Sequence, residues 1–377
     1  MRIAVTRETV PGEARVALVP EAIPGLVKLG YQVAVQPGAG AGALIADEAY
    51  HQAGAVVTGD AYAGATVIAS VQPLPADALA EGAATVSFYP AGARLADVAA
   101  RRDRKISTFG MEYVPRISRA QSMDALSSQA LVAGYRAAVV AASRLRQFFP
   151  LNMTAAGTIP PAQVVVLGAG VAGLQAIATC KRLGAVVKGY DVRAAAAEEI
   201  RSMGAVAIDL ALPTLEGAGG YAREMTEERA ALQRDLLTPY VAAADALITT
   251  AAVPGRQAPV LVTRAMVEQM KPGSVVIDLA ADSGGNVEGV QAGAVVSIGR
   301  AQVWGGSNVP SQLPAPASRL LSANIANVLT LMTRDGRFAP DFDDEIVAGM
   351  CLTHAGQVRH EPTREALERV EAGTAAP

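Results

Sequence analysis

The sequence contains few aromatic residues, few histidines and few cysteines, and each shortage excludes a class of protein. Aromatic residues make up 4% of the 377 residues, and there are three histidines and two cysteines. Two cysteines give no disulfide framework, which is typical of a reducing compartment. Cys180 lies in an apolar helical segment, so we expect it to be a core residue. We predict neither a disulfide-stapled domain nor a metal site.

The chain also lacks a charge excess and a long hydrophobic run. Its formal net charge is −3, so it has no electrostatic footprint for nucleic acid. The longest apolar stretch, 130–142, is interrupted by Arg136 and is too short to span a bilayer. The first residues form a strand pattern without the apolar core of a signal peptide. We therefore expect a cytoplasmic protein that binds no nucleic acid and makes no direct membrane insertion.

What the chain has in abundance is Ala, Val, Gly and Leu in alternating strand and helix patterns. This composition is typical of helices packed on parallel sheets. It predicts an α/β protein with two Rossmann-like, doubly wound parallel-sheet domains, joined by long helices with a cleft between them. We expect the first domain to be discontinuous, with residues 1–126 plus 320–377. Residues 127–319 then form the second domain with the bridging helices.

Segment 163–193 carries the strongest functional pattern. An apolar β-branched run leads into Gly168, Gly170 and Gly173 at G-x-G-x-x-G spacing, followed by a helical pattern and a strand that ends at Asp191. This order of elements is typical of a dinucleotide-binding site. The glycines provide, in order, a sharp turn, room for a pyrophosphate and close packing of the helix, whose N–H groups suit phosphate.

The acid at the end of the second strand bears on which dinucleotide binds. Asp191 can accept hydrogen bonds from a ribose 2′-OH and would repel a 2′-phosphate, which favours NAD over NADP. Arg193, two residues later, could hold a phosphate and leaves NADP as an alternative. A glycine-rich turn that binds nothing is the other alternative.

Segment 115–130 is a second polar stretch, placed just before a predicted helix. It brings Arg116, Gln121 and Asp124 together at the expected cleft edge. From the spacing alone, the favoured interpretation is a helix amino terminus with Ser122 as its cap and Asp124 in the first turn.

Taken together, these segments resemble the NAD(H)-binding component of proton-translocating nicotinamide nucleotide transhydrogenase, and alanine dehydrogenase is a related family. The resemblance covers almost the whole chain. It is carried by RISRAQSMDALSSQ, GAGVAGLQA, GYDVR, GGYAREM, MKPGSVVIDLA and the turn Asn308-Val309-Pro310.

The resemblance implies a reaction and an assembly. NAD(H) would bind to this chain, NADP(H) would bind to a partner subunit, and hydride would pass directly between them in an Si/Re-specific reaction. A membrane-spanning subunit would couple the transfer to proton movement. The chain would be a homodimer, peripheral on the inner face of the membrane through its partners.

The resemblance also implies residue roles. Arg116 and Ser127 would hold the carboxamide or ribose region, Gln121 would bridge towards the partner, and Asp124 would fix Arg116 or the loop. Arg116, Gln121 and Asp124 are thus the expected catalytic residues. The other expected cofactor-binding residues are Ile117, Ser118, Ser122, Met123, Ser127, Gly168, Gly170, Val171, Gly173, Asp191, Val192, Arg193, Gly220, Tyr221, Gln233 and Ala252.

The connection around residues 217–225 is long for an α/β protein. An ordinary surface loop is one interpretation. The other is a lid with Gly219 and Gly220 as its hinge and Tyr221 closing over the nucleotide. We favour the lid, because the family that the chain resembles has a mobile loop here.

An amino-acid dehydrogenase of the alanine dehydrogenase type is the alternative function. Oxidising an amino acid requires a base, usually histidine, and cations for the substrate carboxylate. By resemblance, Tyr89 stands in the place of the catalytic histidine and Gln72 in that of a substrate-binding lysine, while Arg15 is retained. This pattern favours the transhydrogenase, since transfer between nicotinamides moves no O–H or N–H proton. An NAD-sensing protein without catalysis is a third possibility.

Overall fold

The structure, a computed structural model, describes residues 1–212, 226–252 and 257–373. The chain forms two compact units. Unit 1 contains Met1–Gln129 and the chain from Ser311 onward, and unit 2 contains Ala130–Pro310. The first division, after Gln129, lies about three residues after the expected boundary at 126, and the second, at Ser311, lies about nine residues before the expected boundary at 320. The expected domain boundaries stay a prediction.

The elements follow one another along the described chain with short 3₁₀ turns between several of them. The strands are β1 (Arg2–Val5), β2 (Gln32–Val35), β3 (Val56–Val57), β4 (Val67–Ala69), β5 (Ala84–Ser87), β6 (Ser107–Gly110), β7 (Asn152–Thr154), β8 (Gly157–Ile159), β9 (Gln163–Leu167), β10 (Val186–Tyr190), β11 (Val206–Ala207), β12 (Ala246–Thr249), β13 (Val275–Asp278), β14 (Val295–Ile298), β15 (Ala301–Gly305), β16 (Thr333–Arg334), β17 (Arg337–Phe338), β18 (Cys351–His354) and β19 (Gln357–Val358). The α-helices are α1 (Ile23–Lys28), α2 (Asp47–Gln52), α3 (Leu95–Asp103), α4 (Ala125–Arg144), α5 (Val171–Arg182), α6 (Ala196–Ser202), α7 (Glu227–Ala243), α8 (Arg264–Glu268), α9 (Pro314–Leu331), α10 (Glu345–Met350) and α11 (Glu361–Glu371).

Unit 1 is built on one sheet with the strand order β19-β18-β6-β5-β4-β1-β2-β3. Strands β1 to β6 pair in parallel, and β18 pairs antiparallel with β6 and with β19. Because β1 lies in the middle and the chain winds outward from it in both directions, the parallel part is a doubly wound, Rossmann-like sheet. Its central strands are buried on both faces, as their unbroken apolar sequences predict.

Unit 2 repeats this plan with the order β11-β10-β9-β12-β13-β15-β14. The strands of this sheet run parallel except β14, which forms an antiparallel hairpin with β15, and β7 and β8 form a separate antiparallel pair. The order reverses between β9 and β12, which is where Rossmann-like sheets open a crevice for ligands. The predicted fold class, with two such sheets, is therefore confirmed.

Helix α5 covers the centre of this sheet with small residues. Gly173, Ala176 and Cys180 lie on its buried face. Cys180 is a core residue, as predicted, and burial raises the pKa of its thiol to about 12. Helix α4 crosses α5 at Gly134, where a Cβ atom would lie 2.1 Å from the Ala172 carbonyl oxygen. No helix in the described parts of the chain is both long and apolar enough to cross a membrane.

Candidate functional site

The turn after β9 requires glycine at two positions. Gly168 has a φ of +96°, in the left-handed region, and a Cβ atom there would lie 2.6 Å from Thr250 Oγ1. A Cβ atom at Gly173 would lie 1.9 Å from the Gly168 carbonyl oxygen. The first glycine therefore makes the sharp turn, and the other lets α5 pack against it.

Gly170 has a different role, because the space around it is open. It is the N-cap residue of α5, it makes no side-chain cap, and nothing lies within 4 Å of the position that a Cβ atom would occupy. The N–H groups of the first turn of α5, beginning at Val171, start there. An unfilled space in front of a helix amino terminus fits an anionic group such as a pyrophosphate.

Asp191 connects the end of β10 to this turn. Its Oδ2 atom accepts a hydrogen bond from the Ala169 N–H at 2.7 Å, and its Oδ1 atom accepts from the N–H and Nε of Arg193, both at 2.9 Å. Arg193 Nη2 also donates to Oδ2 and to the Ala169 carbonyl oxygen. Since the carboxylate already accepts four hydrogen bonds, a ribose hydroxyl can reach it only by replacing one of the Arg193 contacts.

Residues at and after the ends of β12 and β13 support the turn, and their role was not predicted from the sequence. Thr250 Oγ1 donates to the Gly168 carbonyl oxygen at 3.1 Å. Asn286 bonds both the N–H and the carbonyl of Ala251, at 2.9 and 2.7 Å. Asp278 in turn accepts from the Asn286 N–H at 2.7 Å, and burial raises the pKa of this carboxyl although backbone N–H groups oppose the shift. The sequence signal for this supporting role was a polar residue at the end of each apolar strand, Thr249 in β12 and Asp278 in β13.

The remaining expected cofactor residues of unit 2 differ in their exposure and lie on separate segments. Val192 is half-buried and packs against the core, whereas Ala252 is exposed. Gln233 lies on α7 with 1% of its surface exposed and accepts a hydrogen bond from the Tyr190 hydroxyl at 3.3 Å. Gly220 and Tyr221, with the whole expected lid at 217–225, fall outside the described residues.

In unit 1, the expected site loop is a 3₁₀ segment, Ser118–Met123, that leads into α4. Asp124 caps that helix: its Oδ1 accepts from the Ser127 N–H at 2.9 Å, and its Oδ2 accepts from Ser127 Oγ at 2.6 Å. The expectation that Ser122 is the cap was wrong, because Asp124 occupies the position from which a side chain reaches the third N–H of the helix.

Exposure separates the residues of this loop. Arg116, Ser118, Gln121 and Ser122 are exposed, Ile117, Asp124 and Ser127 are half-buried, and Met123 belongs to the core of unit 1. The polar residues expected to meet the cofactor are thus accessible on one loop, whereas the Met123 side chain anchors it.

The carboxy-terminal part of the chain holds the loop in place. Asn324 and Asn327 of α9 both donate to the Ser122 carbonyl oxygen, at 2.9 and 3.0 Å. Asn324 also accepts from Ser128 Oγ at 2.7 Å. Arg119, an exposed residue of the same loop, forms a two-point ion pair with Asp344. Asn324 is a buried polar residue of α9, as are Ser318 and Ser322, and polar residues on the buried face of a helix were the available sequence signal.

A buried ion pair lies behind the start of α4. Arg15 donates to both carboxylate oxygens of Glu13, at 2.8 and 2.6 Å, and to Gln129 Oε1 at 2.9 Å. Gln72 and Ser311 donate to the same carboxylate, at 2.8 and 3.0 Å. Burial alone would raise the pKa of Glu13, but the hydrogen bonds and charge of Arg15 lower it to about 2. Both partners are therefore charged and satisfied within the chain.

Tyr89, His354 and His360 have hydrogen-bond partners within the chain. Tyr89 is fully buried, its hydroxyl donates to Asp97 Oδ2 at 2.6 Å, and burial raises its pKa. His51 is an exposed residue of α2. His354 Nδ1 lies 2.9 Å from Ser107 Oγ, and His360 Nδ1 lies 2.7 Å from Thr363 Oγ1. All of these contacts are structural.

Comparison with known proteins gives the family. The family profile described as Alanine dehydrogenase/PNT, N-terminal domain, matches residues 4–133. The profile described as Alanine dehydrogenase/PNT, C-terminal domain, matches residues 137–361. This chain belongs to the alanine dehydrogenase/PNT family.

Three relatives show where the chain stands in that family. An NAD(P) transhydrogenase alpha-subunit chain of Rhodospirillum rubrum is 46% identical over 376 residues, which cover 96% of this chain and 98% of that protein. The crystal structure of transhydrogenase from Sinorhizobium meliloti superposes with a TM-score of 0.84 at 41% identity, covering 96% of this chain and 100% of that one. Alanine dehydrogenase of Mycobacterium tuberculosis is 30% identical over 375 residues, covering 96% and 95%. The resemblance inferred from the sequence is confirmed, with alanine dehydrogenase as the more distant relative.

Proposed function

We propose that this chain is the NAD(H)-binding component of a proton-translocating NAD(P) transhydrogenase. It passes hydride directly between its own nicotinamide nucleotide and NADP(H) held by a partner subunit. The observation that carries the proposal is the higher identity, over nearly the whole chain, to transhydrogenase alpha subunits than to alanine dehydrogenase.

The crevice of unit 2 supports NAD(H) as the bound cofactor. The open space at Gly170 and the amino terminus of α5 accommodate the pyrophosphate. Asp191 and Arg193 lie at the end of β10, where they receive the ribose, and the negative charge of Asp191 disfavours a 2′-phosphate. NADH, when bound, supplies the hydride, and the chain itself binds and orients it.

The contacts of unit 1 argue against amino-acid dehydrogenation. Arg15, which by resemblance would bind a substrate carboxylate, is 5% exposed and already bonds the carboxylate of Glu13. Gln72 donates to the same carboxylate, and Tyr89 is buried against Asp97. None of these three positions offers a base or an available cation for alanine. These contacts support a reaction in which no substrate proton is moved.

The loop of unit 1 supplies the groups for the nicotinamide end in this proposal. Arg116 and Ser127 hold the carboxamide or ribose region, and Gln121 reaches towards the partner. The exposure of Arg116 and Gln121 supports these roles. Asp124 fixes the start of α4 through Ser127, so it acts by positioning the loop. Hydride transfer needs two rings held close together with water excluded, which a preorganised loop favours.

The assembly is a homodimer that binds an NADP(H)-binding subunit and a membrane-spanning subunit, on the cytoplasmic face of the membrane. An exposed hairpin of β7 and β8 supports self-association. Apolar side chains in and beside the hairpin are accessible, with Met153 of β7 73% exposed and Phe148 54%, and such clusters mark contact surfaces. Sedimentation of the purified chain checks the dimer.

The deciding experiment mixes the purified chain with an NADP-binding transhydrogenase subunit. Reduction of an NAD analogue by NADPH is followed, and a parallel assay offers alanine and NAD to the chain alone. We expect transfer only when both proteins are present, and no turnover of alanine. Robust alanine oxidation, or no transfer in the mixture although each protein binds its nucleotide, would refute the proposed function.

A further inference from the structure

A second recess in unit 2 is lined by three arginines. It has a volume of about 260 Å³, and its walls include Arg144, Arg146, Arg300, Ser297 and Gln302. Arg144 ends α4 and is half-buried, whereas Arg146 and Arg300 are exposed. No carboxylate is among its described lining residues. The recess therefore concentrates three positive charges in a chain whose net charge is negative.

Carboxylates on the neighbouring segments are already bonded to other cations. Glu268 packs against the turn at Gly299, but its carboxylate accepts from Arg264 at 3.2 Å. Asp245 accepts from Lys271 at 2.8 Å and from the Gln163 N–H at 2.7 Å. Among the residues that the structure describes, none forms an ion pair with the three arginines. Like charges brought together without a counter-charge favour an anion from outside the chain.

The recess is distinct from the dinucleotide crevice. It lies where Gly273 precedes β13 and where the turn at Gly299 precedes β15, at the amino ends of these parallel strands. The glycine turn after β9 and Asp191 after β10 lie at the carboxyl ends, on the opposite edge of the same sheet. Strands of this length keep the two edges about 13–17 Å apart.

We propose that this recess is a binding site for a phosphate group. The guanidinium fork bonds two oxygens of a phosphate at once, and arginine is the side chain best suited to such recognition. The volume is below the roughly 300–1,000 Å³ of pockets that enclose drug-sized ligands. It therefore fits a free phosphate or the phosphate end of a larger molecule, including a lipid headgroup, rather than a second dinucleotide.

Calorimetric titration of the whole chain with inorganic phosphate and with pyrophosphate tests the site. We expect saturable binding that persists with NADH present and weakens about tenfold or more in Arg300→Gln and Arg146→Gln, which lose one fork each. Arg201→Gln is the matched control, because Arg201 is an exposed arginine at the end of α6 outside the recess. The exposed positions of Arg146 and Arg300 keep these variants folded, which circular dichroism verifies.

Vesicles separate the two sources of phosphate. Co-sedimentation with phosphatidylcholine vesicles is compared with and without phosphatidylglycerol. Binding only to the anionic vesicles, lost in Arg300→Gln and kept in Arg201→Gln, would support the site with a lipid phosphate as its ligand. The proposal would be overturned if the chain bound neither the phosphate probes nor the anionic vesicles. It would also be overturned if Arg201→Gln weakened binding as much as Arg300→Gln, or if NADH abolished phosphate binding completely.

Discussion

Replacing Arg15 with methionine tests how much of the stability of unit 1 depends on its buried ion pair. The change removes the charge while keeping most of the side-chain volume, and it leaves the Glu13 carboxylate without its main partner. The Glu13 side chain has no exposed surface, and Arg15 is 5% exposed. An unpaired carboxylate at such a position is strongly unfavourable, so Arg15→Met should be far more harmful than a surface substitution.

Two estimates of the free energy of unfolding lost in Arg15→Met agree. Removing one partner of a buried pair typically costs about 3–5 kcal/mol. Lowering the pKa of Glu13 from 4.5 to about 2 corresponds to about 3 kcal/mol of stabilisation of the charged form. The double variant Glu13→Gln with Arg15→Met should lose less than Arg15→Met alone, because no buried charge remains. Arg364→Met, at an exposed pair on α11, should change the free energy of unfolding by less than about 1 kcal/mol.

The pH dependence follows from the sign of each pKa shift. In the wild type the pKa of Glu13 lies below its unfolded value, so its stabilisation is present above about pH 4.5 and is lost as the pH falls towards 2. In Arg15→Met, burial raises the pKa of Glu13 above the unfolded value, so protonation makes the variant relatively more stable at low pH. In urea unfolding, the difference in the free energy of unfolding between the wild type and Arg15→Met should therefore narrow as the pH falls from about 7 to about 4. A free-energy difference between the two proteins that does not change with pH, or one below about 1 kcal/mol, would refute this reasoning.

Three other substitutions probe the crossing of α4 and α5, the ribose end of the crevice and the site loop. Gly134→Ala places a Cβ atom 2.1 Å from the Ala172 carbonyl oxygen and should destabilise unit 2 by about 1–3 kcal/mol in thermal unfolding. Gly25→Ala, with nothing within 4 Å, is its control and should be neutral or stabilising; equal losses would contradict the close approach. Asp191→Ala releases Arg193 and should raise affinity for NADP relative to NAD in fluorescence titrations, whereas an unchanged ratio would show that another group excludes NADP. Asn324→Ala removes the contact to Ser122 of the site loop and the contact to Ser128 of α4, and it should slow hydride transfer with little change in NADH affinity. Asn327→Ala, which loses only the shared contact to Ser122, should have the smaller effect, and equal rates in both variants would count against a positioning role.

Much of the architecture of this protein could be predicted from local sequence patterns. The apolar runs that become β1, β9 and β13 are buried on both faces, and continuous β-branched runs of this length have few other uses. The glycine spacing after β9 predicted the turn because the requirement is steric and local. A helix directly after segment 115–130 was predicted as well, and α4 starts within that segment, at Ala125, and ends at Arg144.

The contacts that hold the site loop could not be predicted in this way. Asn324 lies 202 residues from Ser122 along the chain, and no local pattern connects them. The same holds for Arg15 and Gln129, which are 114 residues apart. The role of Asp124 was ambiguous because an acid near a helix start can cap the helix or bind a ligand. The Ser127 contacts show that Asp124 caps α4, and its role towards the cofactor stays a prediction.

The parallel parts of the two sheets share one strand order, but the points where that order reverses carry different residues. In unit 2 this point has a glycine turn, an open helix amino terminus and one acid at the neighbouring strand end. In unit 1 the corresponding ends of β1 and β4 are occupied by Glu8, whose carboxylate accepts from the Val71 and Gln72 N–H groups at 2.6 and 3.2 Å. This carboxylate occupies the place where a pyrophosphate would bind, and the Gln72 side chain further donates to Glu13. The strand order therefore creates a crevice in both units, and the residues at the strand ends support our proposal that the nucleotide binds in unit 2.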